Sequence, residues 1–270
     1  MAVPSPTSER WLHGDVHDRW RPMNPIFFGS ADRQLFGVYH APARARGRKG
    51  VVLCYPWGQE YLRAHRAFRF LGESLAGAGV HVLRFDYWGT GDSGGDVSEA
   101  DLPTWASDVE LTVHELMDIA DLRRVALCGL RMGAHWAARC AVEHPAVDRV
   151  VLWDPVVDGV SYVRSLDQTP VSREGLHEVD GFTLTAAVRD GLASASADDF
   201  TRLDMPSMVL STSEHAATDD LVSNMRALDL PVTFRMVPAS PAWKEENGDF
   251  GTSGMPVSAL QEITQWLSET

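Results

Sequence analysis

Arg124-Val125-Ala126-Leu127-Cys128-Gly129-Leu130-Arg131-Met132-Gly133-Ala134 decides the fold. It reads as a short apolar strand, a tight turn framed by two glycines, and a helix from Met132 to about Glu143. A strand that feeds a Gly-x-x-x-Gly turn lifts one side chain to the top of a sheet, and the glycines let strand and helix pack closely. Nucleophilic chemistry needs Ser, Cys or Asp at the middle position, because that atom must attack a carbonyl. Here the middle residue is Arg131, a permanent cation with five N–H donors and no acceptor. The stretch therefore specifies an architecture and leaves the reaction open.

The rest of the chain follows the same strand–helix alternation. Pro25–Gly29 and Gln34–His40 read as two strands around a polar turn. Gly50–Cys54 is a continuous apolar run, as expected of a parallel strand buried on both faces. A helix from about Ala64 to Ala78, the strand His81–Phe85 and a glycine-rich turn come next. The turn, Asp86 to Gly95, lacks both the Lys-Ser/Thr pair of a P-loop and the spacing of a dinucleotide fingerprint. Leu102, Trp105, Val109, Val113 and Leu116 recur at helical spacing over 101–119. Beyond the Arg131 turn come the strand Val147–Trp153, the strand Met205–Ser211, the helix Thr218–Leu228, the strand Pro231–Val237 and the helix Val257–Leu267. The sheet pattern lapses over about 160–204, a length suited to a small lid. Residues 1–24 read as a poorly ordered lead, 25–270 as one domain. The fold class is α/β, with a mostly parallel open sheet, helices on both faces and a small lid insertion.

Composition narrows the function. The 270 residues carry 37 acidic against 24 basic side chains, a net charge of −13. That balance opposes nucleic acid and anionic membranes, and the basic loop 41–50 reads as solvated. Nothing resembles a signal peptide or a membrane span, and Cys54, Cys128 and Cys140 sit in apolar segments without metal-ligand spacing. A cytoplasmic protein with no metal and no cofactor is expected. Cys54 ends a strand near the cleft, but it lacks the helix N-terminus that would lower a thiol pKa, so it reads as a buried thiol.

Ligands of open α/β sheets bind at the carboxyl ends of the strands. That rule gathers Tyr55, Trp57, Glu60 and Tyr61, then Trp88, Arg131 and Met132, then Asp154 and Asp158, and last His215 and Trp243. Arg131 at a helix start faces the positive end of the helix dipole, so it calls for an anion nearby. Glu60 is the first expected partner, with Asp154 and Asp158 next.

The segments YPWGQEYLRAHR (55–66), FDYWGTGDSGGD (85–96), GLRMGA (129–134), LWDPVVDG (152–159), DGFTLT (180–185) and VPASPAW (237–243) together carry a resemblance. The chain resembles the α/β-hydrolase superfamily, its serine-aminopeptidase-like branch, and within it the second type of exosortase-A-system-associated hydrolase. The resemblance covers nearly everything from Phe36 onward. It implies the fold, with a nucleophile at position 131, an acid after the seventh strand and a histidine after the last. Position 131 is Arg. The acid has candidates in Glu214, Asp219 and Asp220. No histidine follows His215 in the chain. Ser93 and Ser240 have no expected histidine partner, so Ser-His-Asp hydrolysis is not expected.

Two roles for Arg131 follow. In one it pairs with Glu60 and plugs a vacated site. In the other its donors, with the Met132 N–H and an N–H near Trp57, receive a carboxylate, phosphate or carbonyl. The working expectation is a tailoring protein that binds an acyl, ester or peptidic small molecule. Arg131 would be its receptor, and Glu60, Asp154, Asp158 or His215 would supply acid–base chemistry for isomerisation, cyclisation or elimination. Tyr55, Trp57, Tyr61, Trp88, Met132 and Trp243 are the expected lining. The alternatives are a catalytically dead binding or scaffold protein, and a hydrolase with an unrecognised nucleophile.

Overall fold

A computed structural model describes residues 23–42, 48–166, 170–173, 176–244 and 254–269. Eight strands form one sheet: β1 (Met23–Ser30), β2 (Arg33–His40), β3 (Gly50–Cys54), β4 (His81–Phe85), β5 (Val125–Leu130), β6 (Val147–Trp153), β10 (Ser207–Ser211) and β11 (Val232–Met236). Their order across the sheet is β1-β2-β4-β3-β5-β6-β10-β11. The β1–β2 and β2–β4 pairs are antiparallel, and every pair from β4 to β11 is parallel.

Between β3 and β5 the order reverses, because the chain steps outward to β4 and then returns to the other side of β3. Loops leaving β3 and β5 therefore diverge and open a crevice at their carboxyl ends. Every residue of β3 and β5 is buried. Two helix layers account for that burial. Helix α1 (Gln59–Gly77) packs with α7 (Val257–Ser268), and α2 (Leu102–Ala120) packs with α3 (Gly133–Glu143). Leu102, Trp105, Val109, Val113 and Leu116 of α2 all face the core, as their spacing demands. Asp101 caps this helix, its carboxylate accepting the Thr104 N–H at 2.7 Å, and Pro103 occupies the first turn.

Helix α1 starts at Gln59, five residues before the apolar pattern predicts. Gly58, at φ +65°, lets the chain swing directly into the helix and sets Glu60 in its first turn. The segment between β6 and β10 holds α4 (Gly159–Leu166), a three-stranded antiparallel sheet of β7 (Pro170–Arg173), β8 (Leu176–Val179) and β9 (Phe182–Thr183), and α5 (Ala186–Ser194). Those strands were not foreseen, since pieces of two to four residues are too short for an alternating pattern to register. After β10 come α6 (Ala216–Ala227) and β11. The other predicted boundaries agree to within two residues.

The insertion is tied down from below. His135 on α3 is fully buried and bonds at both ring nitrogens, to the Val156 carbonyl oxygen at 2.5 Å and to the Asp199 carboxylate at 2.9 Å. Arg139 adds two bonds to the same carboxylate. Burial alone would raise the Asp199 pKa, but its bonds from His135 and Arg139 override that and hold it at about 2.

The expected lead, 1–24, lies outside the described residues up to position 22, while Met23 and Asn24 already belong to β1. Half of the basic loop, 43–47, also lies outside them. Among the described residues no helix is long and apolar enough to cross a membrane.

Candidate functional site

Arg131 stands alone in the turn between β5 and α3 with φ +55°, a left-handed conformation that a non-glycine residue adopts at a cost of about 1 kcal/mol. The surroundings enforce it. The Arg131 N–H donates to the Trp153 carbonyl at 3.0 Å, and the Arg131 carbonyl accepts the Ala134 N–H at 3.1 Å. A Cβ on Gly129 would lie 2.3 Å from the Gly133 carbonyl oxygen, and one on Gly133 would lie 2.3 Å from that of Cys54. Only glycines allow strand, turn and helix to approach this closely.

The guanidinium is held on three sides. Its Nε donates to Glu60 Oε1 at 3.1 Å, and one Nη donates to the Asp154 carbonyl oxygen at 3.2 Å. The Trp243 ring lies beneath it, 3.9 Å from centroid to guanidinium carbon, with Tyr162 at 5.6 Å. Tyr162 also donates its hydroxyl to the second Glu60 oxygen at 3.1 Å. Burial raises the Glu60 pKa above the usual carboxylate range, against the pull of Arg131 and of both hydrogen bonds. Tyr162 was absent from the expected set, and α4 carries it there from 102 positions away in the chain.

Asp154 takes part differently from what its sequence position led one to expect. Its carbonyl, not its carboxylate, meets Arg131. The carboxylate accepts the Thr212 N–H at 2.7 Å, the Thr212 hydroxyl at 2.6 Å and the Trp243 indole N–H at 3.1 Å. It ties β6, β10 and the segment after β11 together. Asp158 caps the first turn of α4 through the Ser161 N–H and hydroxyl. His215 is exposed at the start of α6.

Two cavities, each of about 260 Å³, open at this edge of the sheet. One is polar and is lined by Arg131, Asp158, Ser161, Tyr162, His215 and Trp243 among others. The other is aromatic, with Trp57, Tyr61, Tyr87, Trp105, Trp136 and Phe182 in its wall. Phe182 comes from the insertion and tilts against Trp57 at 6.2 Å between ring centroids.

Two of the expected lining residues, Tyr55 and Trp88, stand elsewhere. Tyr55 is core, stacked on Phe68 at 4.3 Å, with its hydroxyl accepting from the buried Arg84. Trp88 turns away toward α2, where Arg33 lies over its ring and its indole N–H reaches Glu99. Met132, expected to take part through its backbone N–H, stands beside Arg131 in the turn with its side chain fully buried. Tyr55, just past the end of β3, gains full burial in the core, while Trp88 stays half-buried against α2. Cys54, Cys128 and Cys140 are free and buried, and burial pushes all three thiols up in pKa, Cys140 to about 12.

Residues 51–234 match the family model described as serine aminopeptidase, S33. The chain belongs to that family. A search of curated proteins returned no match. Solved structures similar to this serine aminopeptidase S33 chain share its α/β-hydrolase fold. They include a putative hydrolase from Agrobacterium vitis S4, at 20% identity and TM-score 0.58 over 92% of this chain and 100% of that one. Est1E from Butyrivibrio proteoclasticus, solved with ferulic acid bound, gives 13% identity and TM-score 0.66 over 90% and 96%. DcsB in complex with its substrate analogue gives 14% identity and TM-score 0.65 over 91% and 98%.

Proposed function

We propose that this chain binds a small acyl, ester or peptidic molecule through a carboxylate or carbonyl group seated on Arg131, and acts on it without a serine nucleophile. One observation carries the reading. A guanidinium has five N–H groups, and two of Arg131's are engaged, by Glu60 and by the Asp154 carbonyl, among the described residues. The remaining three belong to a side chain that lines the polar cavity. Donors fixed at the top of a sheet, with a tryptophan face behind them, make an anion receptor.

Arg131 takes the place a family nucleophile would hold, and no imidazole follows the last strand to serve as base. The Asp154 carboxylate is already bonded three times over. The acid–base group best suited to the site is Glu60. Burial keeps its pKa raised, and Tyr162 and Arg131 fix both of its oxygens. Isomerisation, cyclisation or elimination fits such a group better than hydrolysis does. His215 and Asp158 would meet the far end of the ligand, and the aromatic cavity would take an apolar body. Neighbours of the same fold were solved with ferulic acid and with a substrate analogue bound, which supports a small-molecule ligand. The same Glu60–Arg131 pair also favours a second reading, a binding protein without turnover.

Thermal denaturation with benzoate and phenylacetate tests the receptor. Stabilisation of the natural chain that disappears in Arg131→Ala is expected; equal stabilisation of both would overturn it. Labelling by a fluorophosphonate should not occur, and stoichiometric labelling would restore a nucleophile. Turnover lost in Glu60→Gln while benzoate still binds separates catalysis from binding alone.

A further inference from the structure

Away from the cleft, where α2 and α3 run side by side, three side chains converge for which the proposed function has no use. Glu110 and His114 lie four residues apart on α2, and so share one face of the helix. His144 ends α3. Its N–H donates to the Cys140 carbonyl at 2.8 Å and its carbonyl accepts the Val147 N–H at 3.0 Å, so its backbone is pinned. The Nε2 atoms of His114 and His144 are 3.3 Å apart, and with a Glu110 carboxylate oxygen all three candidate ligand atoms lie within 4.8 Å of one another.

That spacing has a direct chemical meaning. Zinc bound tetrahedrally by imidazole, with bonds of about 2.0–2.1 Å, holds neighbouring ligand atoms about 3.3 Å apart. The two histidines already stand at that separation, and a carboxylate oxygen of the exposed Glu110 lies within 4.8 Å of both. We infer that Glu110, His114 and His144 form a site for a divalent d-block cation of the zinc class, with water in the fourth position. Two imidazoles and a carboxylate select zinc, nickel or copper over magnesium and calcium, which prefer oxygen alone.

Without metal the pair is bridged by a proton. The Ala146 N–H donates to His144 Nδ1 at 3.2 Å, which leaves the proton of neutral His144 on Nε2, directed at His114 Nε2. A metal takes the place of that proton. His144 then carries it on Nδ1 and gives up the Ala146 bond. Bound there, the cation would staple α2 to α3, the helix that follows the Arg131 turn.

The test is calorimetric titration of the chelator-treated full chain with zinc chloride. One saturable zinc per chain is expected, with a rise in Tm. The exposed Glu110 and His114 can be changed without disturbing the core. Glu110→Gln should weaken binding, and His114→Ala should abolish it while the circular dichroism stays unchanged. A variant lacking His13 and His17, which lie outside the described residues, should bind as the natural chain does. Absence of saturable zinc uptake, uptake unchanged in His114→Ala, or uptake lost with His13 and His17 would overturn the site and leave a hydrogen-bonded histidine pair.

Discussion

The ends of β5 and β6 lie side by side, and each closes on a non-glycine residue with left-handed backbone: Arg131 at φ +55° and Asp154 at φ +41°. The same local strain serves opposite ends. At Asp154 the charged group is consumed, with its carboxylate receiving Thr212 and Trp243. At Arg131 the charge is held by one carboxylate and one carbonyl and still fronts a cavity. A charge with all its partners inside the protein is structure, whereas a charge with donors to spare is what the proposed receptor role requires. Strained backbone alone does not distinguish the two; the count of satisfied hydrogen-bonding groups does.

The comparison can be broken by substitution. Asp154→Ala should have the largest effect on stability, about 3 kcal/mol, because it strips charged hydrogen bonds from the buried Thr212 and from Trp243. Chemical denaturation measures it, and a loss below about 1 kcal/mol would mean that Asp154 is not the tie described. Arg131→Ala should cost less, about 2 kcal/mol, since Glu60 can take up a proton once its partner is gone. A double-mutant cycle with Glu60→Gln should show the two losses to be strongly non-additive.

Finer changes sharpen the contrast. Arg131→Gly should be more stable than Arg131→Ala by about 1 kcal/mol, because glycine carries the left-handed turn without strain. Equal stability would mean the turn relaxes when the arginine leaves.

The smallest effect is one of pH. Because the Glu60 pKa is raised in the fold, the folded state holds that proton more tightly than the unfolded chain does. Its contribution to stability therefore rises as pH falls from the folded toward the unfolded value. Over the same window Glu60 stops competing for Arg131, so benzoate should bind more tightly as pH falls through it, and Glu60→Gln should flatten that dependence. His40 runs the other way. Burial first, then Arg84, lower its pKa to about 4, so its share of stability is full above about 6.5 and is lost between there and 4. His40→Gln should remove that part of the acid sensitivity in pH-dependent melting.

Much of the architecture was legible because it rests on local chemistry. Continuous apolar runs announced β3, β5 and β6, the spacing of α2 announced its buried face, and two glycines announced the turn around Arg131. Glu60 could be named first as the partner of Arg131, ahead of Asp154 and Asp158, because a cation at a helix start needs an anion nearby. Tyr162 and Thr212 could not, since nothing local marks a tyrosine 102 residues from its carboxylate or a threonine 58 residues from its aspartate. Nor did spacing tell apart aromatics bound for the cleft from those bound for the core. Trp57 and Trp243 line the cavities, Tyr55 is core, and Trp88 lies half-buried against α2.

By itself, then, the sequence determined the strands of the main sheet and most of the helices that cover it, that the sheet is largely parallel, and that a fixed positive charge follows β5 in the turn between two glycines. Those are properties of residue type and period, and they hold whatever lies across the molecule. Only the tertiary structure decided which carboxylate is spent and which donors remain, and which two histidines meet at 3.3 Å from different helices. The physical reason is that satisfaction of a buried polar group depends on partners supplied by distant chain, and the sheet order that delivers them is settled by packing.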